Sequence, residues 1–264
     1  MLLKRIISSA VLISIISVVI FFDWLCALTA VVFIIAGLYE YFLMLEKKGI
    51  KIYKYFGIGM GAVIPLSIMF RFEPTKSWEL LFIVLALFFI LLMQFKRRDS
   101  SGVIVDISTT LFGILYVSWF FSFIIKIRYL AGGFGFLVAL LLMIKLGDIG
   151  AYLIGSRWGK RPLMPHISPK KTVEGSLGGL FFSVLGALIS KPFLPFDYGQ
   201  LFLVALGLGV LGQLGDLSES LLKRDCQIKD SGSIFPGMGG VLDQIDSLLF
   251  TAPVFYFYLS VIVK

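Results

Sequence analysis

Three aspartates in the second half of the chain lie in segments whose other residues are mostly apolar. Asp243 and Asp246 are three positions apart, so they share one face of a helix, and Asp216 forms a stripe with Ser220 and Lys223. Ionisable groups in such segments are costly and usually functional. Mg²⁺ typically binds one or two carboxylates together with substrate phosphates. The pattern predicts a metal site at Asp216, Asp243 and Asp246, with structural ion pairs or a proton relay as the alternatives.

A second polar segment, SRWGKRPLMPHISPKKTVEGSLGG at 156–179, has the composition of an anion-binding loop. It contains five Lys and Arg residues, and hydroxyl groups at Ser168 and Thr172 flank Lys170 and Lys171. A glycine-rich helix start follows, and helix N-termini and lysine side chains both suit phosphate. The Walker A pattern is absent. We therefore expect a phosphate-binding loop, against the alternative of a basic loop beside a packing helix.

A third polar segment connects the Asp216 stripe to the two C-terminal aspartates. Irregular backbone at membrane depth is tolerated only where it lines a cavity or is buried in protein. The three polar segments are therefore predicted to converge on one polar cavity. The charged and turn-forming residues of this third segment are Lys223, Arg224, Lys229, Asp230, Pro236, Gly239 and Gly240.

The elements that position these residues are predicted to be membrane-spanning helices. Of the 264 residues, 58% are hydrophobic and 15% are charged, and the mean hydropathy is +0.96, whereas soluble domains carry about 25% charged residues. A spanning helix needs about 20 apolar residues. The pattern predicts an all-α, polytopic integral membrane protein with about nine transmembrane helices, the first retained rather than cleaved as a signal peptide. The nine stretches are roughly 6–22, 24–45, 55–70, 79–95, 107–125, 132–155, 174–190, 200–222 and 242–263.

Lysine and arginine are distributed unequally between alternate loops. Seventeen lie on the side of the N-terminus and six on the opposite side. Because cytoplasmic loops carry the excess of positive charge, the N-terminus is predicted in the cytoplasm and the C-terminus outside. The loop at 156–171 and the polar stretch at 228–246 then face the cytoplasm from the inner (cytoplasmic) membrane. The net charge of +8 is explained by this bias, and no nucleic-acid partner is predicted.

The chemistry is concentrated in residues 145–247, which suggests two parts. Residues 1–130 are predicted to be a transmembrane scaffold, and residues 131–264 a catalytic part with a cavity at the cytoplasmic face. The scaffold has two acidic residues inside its apolar stretches, Glu40 and Asp106, and each is expected near a helix end.

Together, the polar segments of the second half of the chain resemble those of the phosphatidate cytidylyltransferase family, also called CDP-diacylglycerol synthases. Two positions depart from the family pattern, because Met238 replaces a histidine and Gln244 replaces an arginine. A shorter family feature is matched by Asp148, Gly150, Ala151 and Tyr152 together with residues 168–175. The residues that match the long C-terminal signature are Ser220, Lys223, Arg224, Lys229, Asp230, Gly232, Pro236, Gly239, Gly240, Asp243 and Asp246.

The resemblance implies a nucleotidyltransferase that makes CDP-diacylglycerol and pyrophosphate from CTP and phosphatidic acid. It implies Mg²⁺ at Asp216, Asp243 and Asp246, K⁺ as a second cation, and a homodimer in the lipid bilayer. Lys223 and Arg224 are expected to act in catalysis with Asp243 and Asp246. The residues expected to bind substrate are Asp148, Tyr152, Ser168, Lys170, Lys171, Thr172, Ser220, Lys229, Asp230, Gly239 and Gly240.

Two other functions fit part of the pattern. A CTP-dependent polyprenol or lipid kinase would transfer the γ-phosphate and release CDP instead of pyrophosphate. A membrane transporter of an anionic substrate would also carry intramembrane charges and broken helices. No internal repeat is visible, however, and the charges cluster at one face.

Overall fold

The structure is a computed structural model that describes residues 2–72, 78–96 and 100–262, with side chains described from Val11 onward. Apart from one two-stranded sheet, β1 at Pro162–Met164 and β2 at Ser168–Thr172, its regular elements are helical. The α-helices are α1 Leu2–Val19, α2 Asp23–Lys47, α3 Lys54–Met69, α4 Trp78–Gln94, α5 Val103–Gly113, α6 Phe120–Tyr129, α7 Gly133–Trp158, α8 Val173–Ile189, α9 Tyr198–Asp225 and α10 Leu242–Ile262.

Within the described residues, each of the nine predicted stretches falls on helix, and the prediction of an all-α membrane protein is confirmed. Three of the apolar helices, α3, α4 and α8, have only 16 or 17 residues, fewer than the roughly 20 that a straight span needs. The count of nine spans and the orientation of the termini therefore stay predictions. Five segments are long and apolar enough to cross a membrane: Asp23–Lys47, Val103–Tyr129, Gly133–Trp158, Tyr198–Asp225 and Leu242–Ile262.

The helices form two compact units, and the chain passes between them more than once. Unit 1 comprises Met1–Lys126 and Cys226–Gln244, and unit 2 comprises Ile127–Asp225 and Ile245–Lys264. One boundary falls inside α10, directly after Gln244. The predicted division into scaffold and catalytic part concerns activity, and it stays a prediction.

Unit 1 is built around α2, which packs against α3 and against a π-helical segment, Ile114–Trp119. Leu38 and Phe42 of α2 are fully buried. They fit because α3 presents glycine to them: a side chain at Gly57 would meet the Phe42 ring, and one at Gly61 would meet Leu38. Small residues that let helices approach closely are typical of helix–helix contacts in membrane proteins.

Unit 2 is built from α7, α8 and α9 with most of α10. Helices α7 and α8 pack so closely that a Cβ atom added at Gly175 would lie 3.0 Å from the Cα atom of Gly155. The β-hairpin precedes α8 directly, and α9 packs against both α8 and α7. This packing places α7, the hairpin, α8 and α9 around one cavity.

Candidate active site

A cavity of about 480 Å³ lies within unit 2, between α7, the hairpin, α8 and α9. It brings together six residues that the sequence singled out, namely Asp148, Tyr152, Lys170, Lys171, Thr172 and Asp216. The cavity wall also contains three polar residues that were not predicted as site residues, namely Ser156, Ser176 and Gln213. Ser176 and Gln213 are held by each other, because the Gln213 Nε2 donates to the Ser176 carbonyl at 3.0 Å and the Ser176 hydroxyl donates to Gln213 Oε1.

The predicted anion-binding loop is a β-hairpin rather than irregular backbone. Its strands are antiparallel, with Pro162 opposite Thr172 and Met164 opposite Ser168. Thr172 is also the N-cap of α8, where its Oγ1 accepts a hydrogen bond from the Gly175 N–H at 3.1 Å. The hairpin therefore carries its lysines directly to the N-terminus of a helix, an arrangement that suits phosphate.

Glu174, in the first turn of α8, fixes the other strand of the hairpin. Its Oε2 accepts hydrogen bonds from the backbone N–H groups of Lys160 at 3.0 Å and Arg161 at 3.2 Å. The Lys160 N–H contributes most to holding the pKa of Glu174 below its usual range, because it stabilises the ionised carboxylate. Both ends of the hairpin are thus tied to α8.

Two lysine–carboxylate pairs lie in the same part of unit 2. The Lys171 Nζ lies 2.7 Å from Asp216 Oδ2, and the Lys145 Nζ lies 3.3 Å from Asp148 Oδ2. These side chains are partly exposed, at 28% for Lys171 and 36% for Asp216, although the Lys171 Nζ atom itself is buried. Asp246 is buried and lies close enough to Asp216, Asp148 and Lys145 to interact with them electrostatically. Three carboxylates and two lysines therefore share this region.

Besides Asp246, four predicted site residues of unit 2 are not among the residues described as lining the cavity. Lys223 is buried in an ion pair with the fully buried Glu219, one helical turn earlier. The exposed Arg224 donates from Nε to the Ile167 carbonyl at 3.2 Å and so ties the end of α9 to the hairpin. The other two are Ser168 and Ser220, and the catalytic and binding roles of all four stay predictions.

The remaining predicted residues lie in a segment of unit 1, residues 226–243, which we call the signature loop. Lys229 and Asp230 are exposed there. Asp243 holds the loop together, because its Oδ2 accepts hydrogen bonds from the Gly240 N–H at 2.7 Å, the Ser231 hydroxyl at 2.8 Å and the Ser231 N–H at 3.0 Å. Gly239 is left-handed, with φ of 96°, and a side chain there would meet the Asp243 carboxylate.

A turn of the signature loop at residues 235–238 brings together the two positions that depart from the family pattern. The Met238 N–H donates to the Phe235 carbonyl at 2.9 Å, with Pro236 and a left-handed Gly237 between them, which is the pattern of a type II turn. The Gln244 Nε2 then donates to the Met238 carbonyl at 2.9 Å. Gln244 therefore holds the turn against the first turn of α10.

Sequence reasoning missed Glu40 as a functional candidate. Glu40 does not lie near a helix end but inside α2, where it is 3% exposed. Its carboxylate accepts hydrogen bonds from the N–H groups of Val241 and Leu242, each at 2.9 Å, and its Oε2 lies 3.0 Å from the Ser231 hydroxyl oxygen. These partners are 191 to 202 positions away in the chain, so no local pattern could have indicated them.

The residues present fit a magnesium ion that binds together with phosphate groups. Among the described residues, no three His, Cys, Asp or Glu side chains form a group that could hold a metal by themselves. Mg²⁺ often keeps several waters and uses one or two carboxylates plus substrate phosphates. Asp216 and Asp246 of unit 2 are carboxylates of this kind, and Mg²⁺ itself, its ligands Asp216, Asp243 and Asp246, and K⁺ as a second cation all stay predictions.

Fold and cavity together define a class, that of helical membrane proteins whose polar cavity pairs carboxylates with lysines. Residues 3–262 match the model of the Cytidylyltransferase family, and the chain belongs to that family. The chain is similar to the phosphatidate cytidylyltransferase of Synechocystis sp., with 34% identity over 97% of this chain and 95% of the relative. It is 46% identical to the Bacillus subtilis enzyme of that name over 55% of each chain. The Staphylococcus aureus enzyme of that name is 40% identical over 64% of this chain and 65% of the relative. The family resemblance drawn from the motifs is thereby confirmed.

Proposed function

We propose that this protein transfers the cytidylyl group of CTP to phosphatidic acid, giving CDP-diacylglycerol and pyrophosphate. One observation carries the proposal: a single cavity joins the hairpin lysines 170 and 171 to Asp216, in a chain similar along almost its whole length to a phosphatidate cytidylyltransferase. The cavity thus combines an anion-binding side with a carboxylate side.

The reaction joins two anions, so positioning and charge neutralisation are its main requirements. A phosphate oxygen of phosphatidic acid attacks the α-phosphorus of CTP. The bond between that phosphorus and the oxygen bridging to the β-phosphorus breaks, and pyrophosphate leaves with the electron pair. The phosphate nucleophile is already ionised near neutral pH, so no general base is needed.

Lys171 is the residue best placed to receive a phosphate group. Its ammonium nitrogen lies 2.7 Å from Asp216 Oδ2 and is itself buried, while the side chain as a whole is 28% exposed. Lys171 exchanges this carboxylate for a phosphate oxygen when CTP enters, and Asp216 then becomes available to a cation. Asp216 and Asp246 would hold Mg²⁺, which when bound would supply positive charge beside the triphosphate.

The setting of the reaction is part of the proposal. The positive-inside bias supports a site that faces the cytoplasm from the inner membrane, in a chain with about nine spans. The bilayer supplies phosphatidic acid and retains the lipid product. The family resemblance suggests that the protein works as a homodimer with K⁺ as a second cation.

An assay on the purified full chain tests this function. With CTP, phosphatidic acid and Mg²⁺, we expect equimolar CDP-diacylglycerol and pyrophosphate, and Asp216→Asn is expected to lower turnover by about 100-fold. Asp197→Asn is the matched control, because Asp197 caps the start of α9 through the Gln200 N–H and asparagine caps equally well.

Two results would contradict the proposal. Release of CDP with a phosphorylated lipid would indicate a lipid kinase, and anion flux into proteoliposomes without nucleotide turnover would indicate a transporter. Full activity of Asp216→Asn at limiting Mg²⁺ would remove Asp216 from the metal site while leaving the overall reaction in place.

A further inference from the structure

We infer that Glu40, a buried residue of α2, is a positioning residue that fixes the signature loop and the start of α10 for nucleotidyl transfer. The inference rests on the proposed function, since it assigns Glu40 a part in that reaction. Glu40 lies nearly 200 positions from the segment that it contacts, and all of its described contacts lie within unit 1.

The carboxylate of Glu40 serves as an external cap for α10. The first N–H groups of a helix have no partner inside it, and Glu40 accepts two of them: Val241 donates to Oε1 and Leu242 to Oε2, each at 2.9 Å. A negative charge at a helix N-terminus is also favourable. Since Glu40 is buried in α2, the start of α10 is fixed to the core of unit 1 rather than to a mobile surface side chain.

The same carboxylate is linked to the signature aspartate through one hydroxyl group. The Ser231 Oγ lies 3.0 Å from Glu40 Oε2 and 2.8 Å from Asp243 Oδ2. Asp243 in turn binds the Gly240 N–H. Displacing Glu40 therefore releases one side of the network that orients Asp243, which is a predicted ligand of the metal.

Two glycines of the signature loop are explained by Glu40. A Cβ atom added at Gly240 would have only Glu40 atoms as its three nearest neighbours, and one added at Gly232 would also meet the Glu40 carboxylate first. Gly240 is not among the glycines with positive φ, so its backbone accepts alanine. What requires glycine at 240 is the space that the carboxylate occupies.

A purely structural Glu40 would stabilise unit 1 without affecting the chemistry of folded molecules. The two roles separate if turnover is measured per folded protein and compared with local backbone opening. Glu40→Gln suits this test because it keeps the shape but replaces one acceptor oxygen by a donor. Glu46→Gln is the matched control, since Glu46 lies on the same helix and pairs with Lys54 at 3.1 Å, outside the loop network.

We expect Glu40→Gln to lower kcat by about 10- to 100-fold, the usual effect of removing a group that orients a catalytic ligand, while KM for CTP changes little. Amide hydrogen exchange should accelerate in the peptide that covers 231–242 and not elsewhere in unit 1. Glu46→Gln should change neither quantity. Wild-type kcat in Glu40→Gln, or faster exchange throughout unit 1, would overturn the inference.

A double variant gives an independent decision. Gly240→Ala should slow turnover because the new methyl group displaces the Glu40 carboxylate. In Glu40→Ala that carboxylate is gone, so Glu40→Ala/Gly240→Ala should be no slower than Glu40→Ala alone. Losses that multiply in the double variant would show that Gly240 acts without Glu40, against the inference.

Failure of the proposed function gives a different result from failure of this inference. A folded wild-type protein that makes no CDP-diacylglycerol contradicts the proposed function and removes the catalytic role of Glu40 with it. Normal wild-type activity together with an unaffected Glu40→Gln variant contradicts only the role of Glu40.

Discussion

Gln244 stands where the family signature has arginine, and its amide nitrogen donates to the Met238 carbonyl at 2.9 Å. Met238 itself stands where the signature has histidine, so the two departures meet in one hydrogen bond. The bond uses the backbone of Met238, and the thioether is not needed for it. Position 244 in this chain therefore stabilises the turn, which is a role that an arginine could fill equally well.

Substitutions at Gln244 test this role. Gln244→Ala is expected to weaken the turn by about 1 kcal/mol, the net value of one hydrogen bond, and to accelerate amide exchange at residues 235–239. Gln244→Arg should retain slow exchange because its guanidinium can donate to the same carbonyl. Met238→Leu serves as the control, since it keeps the carbonyl; fast exchange in that variant would show that the side chain of Met238 holds the turn.

How far single residues could be predicted depended on the distance between partners in the sequence. Lys170, Lys171 and Asp216 were predicted to converge on one polar cavity and all three line one, because polar residues in an apolar chain have few places to converge; their roles in binding phosphate and metal stay predictions. The i, i+4 spacing of Glu219 and Lys223 permits their ion pair, but its burial depends on packing that no local pattern describes. Glu40 could not be predicted as a cap, since its partners are far away in the chain.

At the scale of elements, apolar stretches located the helices well and their internal geometry poorly. The stretch predicted at 107–125 is helical, but Ile114–Trp119 inside it is a π-helix. One added residue per turn hardly alters an apolar run, so hydropathy does not reveal it. The strands of the hairpin were missed for a related reason, because PLM and SPKKT show no alternation of apolar and polar residues.

Packing between α2 and α3 predicts opposite effects for two glycines of one helix. Gly61→Ala should lower the melting temperature, because its methyl group would meet the buried Leu38 side chain, and overpacking costs about 1–3 kcal/mol. Gly59→Ala should leave it unchanged or raise it, because nothing lies within 4 Å of a Cβ atom there and alanine is favoured in helices by about 0.5–1 kcal/mol. Equal melting temperatures in detergent would contradict this packing.

At the scale of the whole molecule, composition was sufficient to predict a helical membrane protein. It was not sufficient to count the spans, since α3, α4 and α8 are shorter than the hydrocarbon core requires of a straight helix. Orientation depends on charge bias alone. A direct measurement of sidedness is therefore the informative experiment.

Cysteine labelling in intact cells tests the predicted orientation. In a background without Cys26 and Cys226, which are both buried, His166→Cys in the hairpin turn should resist a membrane-impermeant thiol reagent until the cells are opened. Asp197→Cys, in the connection between α8 and α9, should react from outside. The reverse pattern would invert the topology and place the site on the outer face.

The contacts of Glu40 constrain how this gene can be recombined. Unit 1 is discontinuous, since residues 226–244 complete a body begun by residues 1–126, and Glu40 occupies the space that Gly232 and Gly240 leave open. A chimera with a related enzyme, joined anywhere between α2 and the signature loop, takes the Glu40 carboxylate from one parent and the loop residues that contact it from the other. We expect such hybrids to work when both parents share this pairing and to fail when they do not, however similar the rest of the chains are.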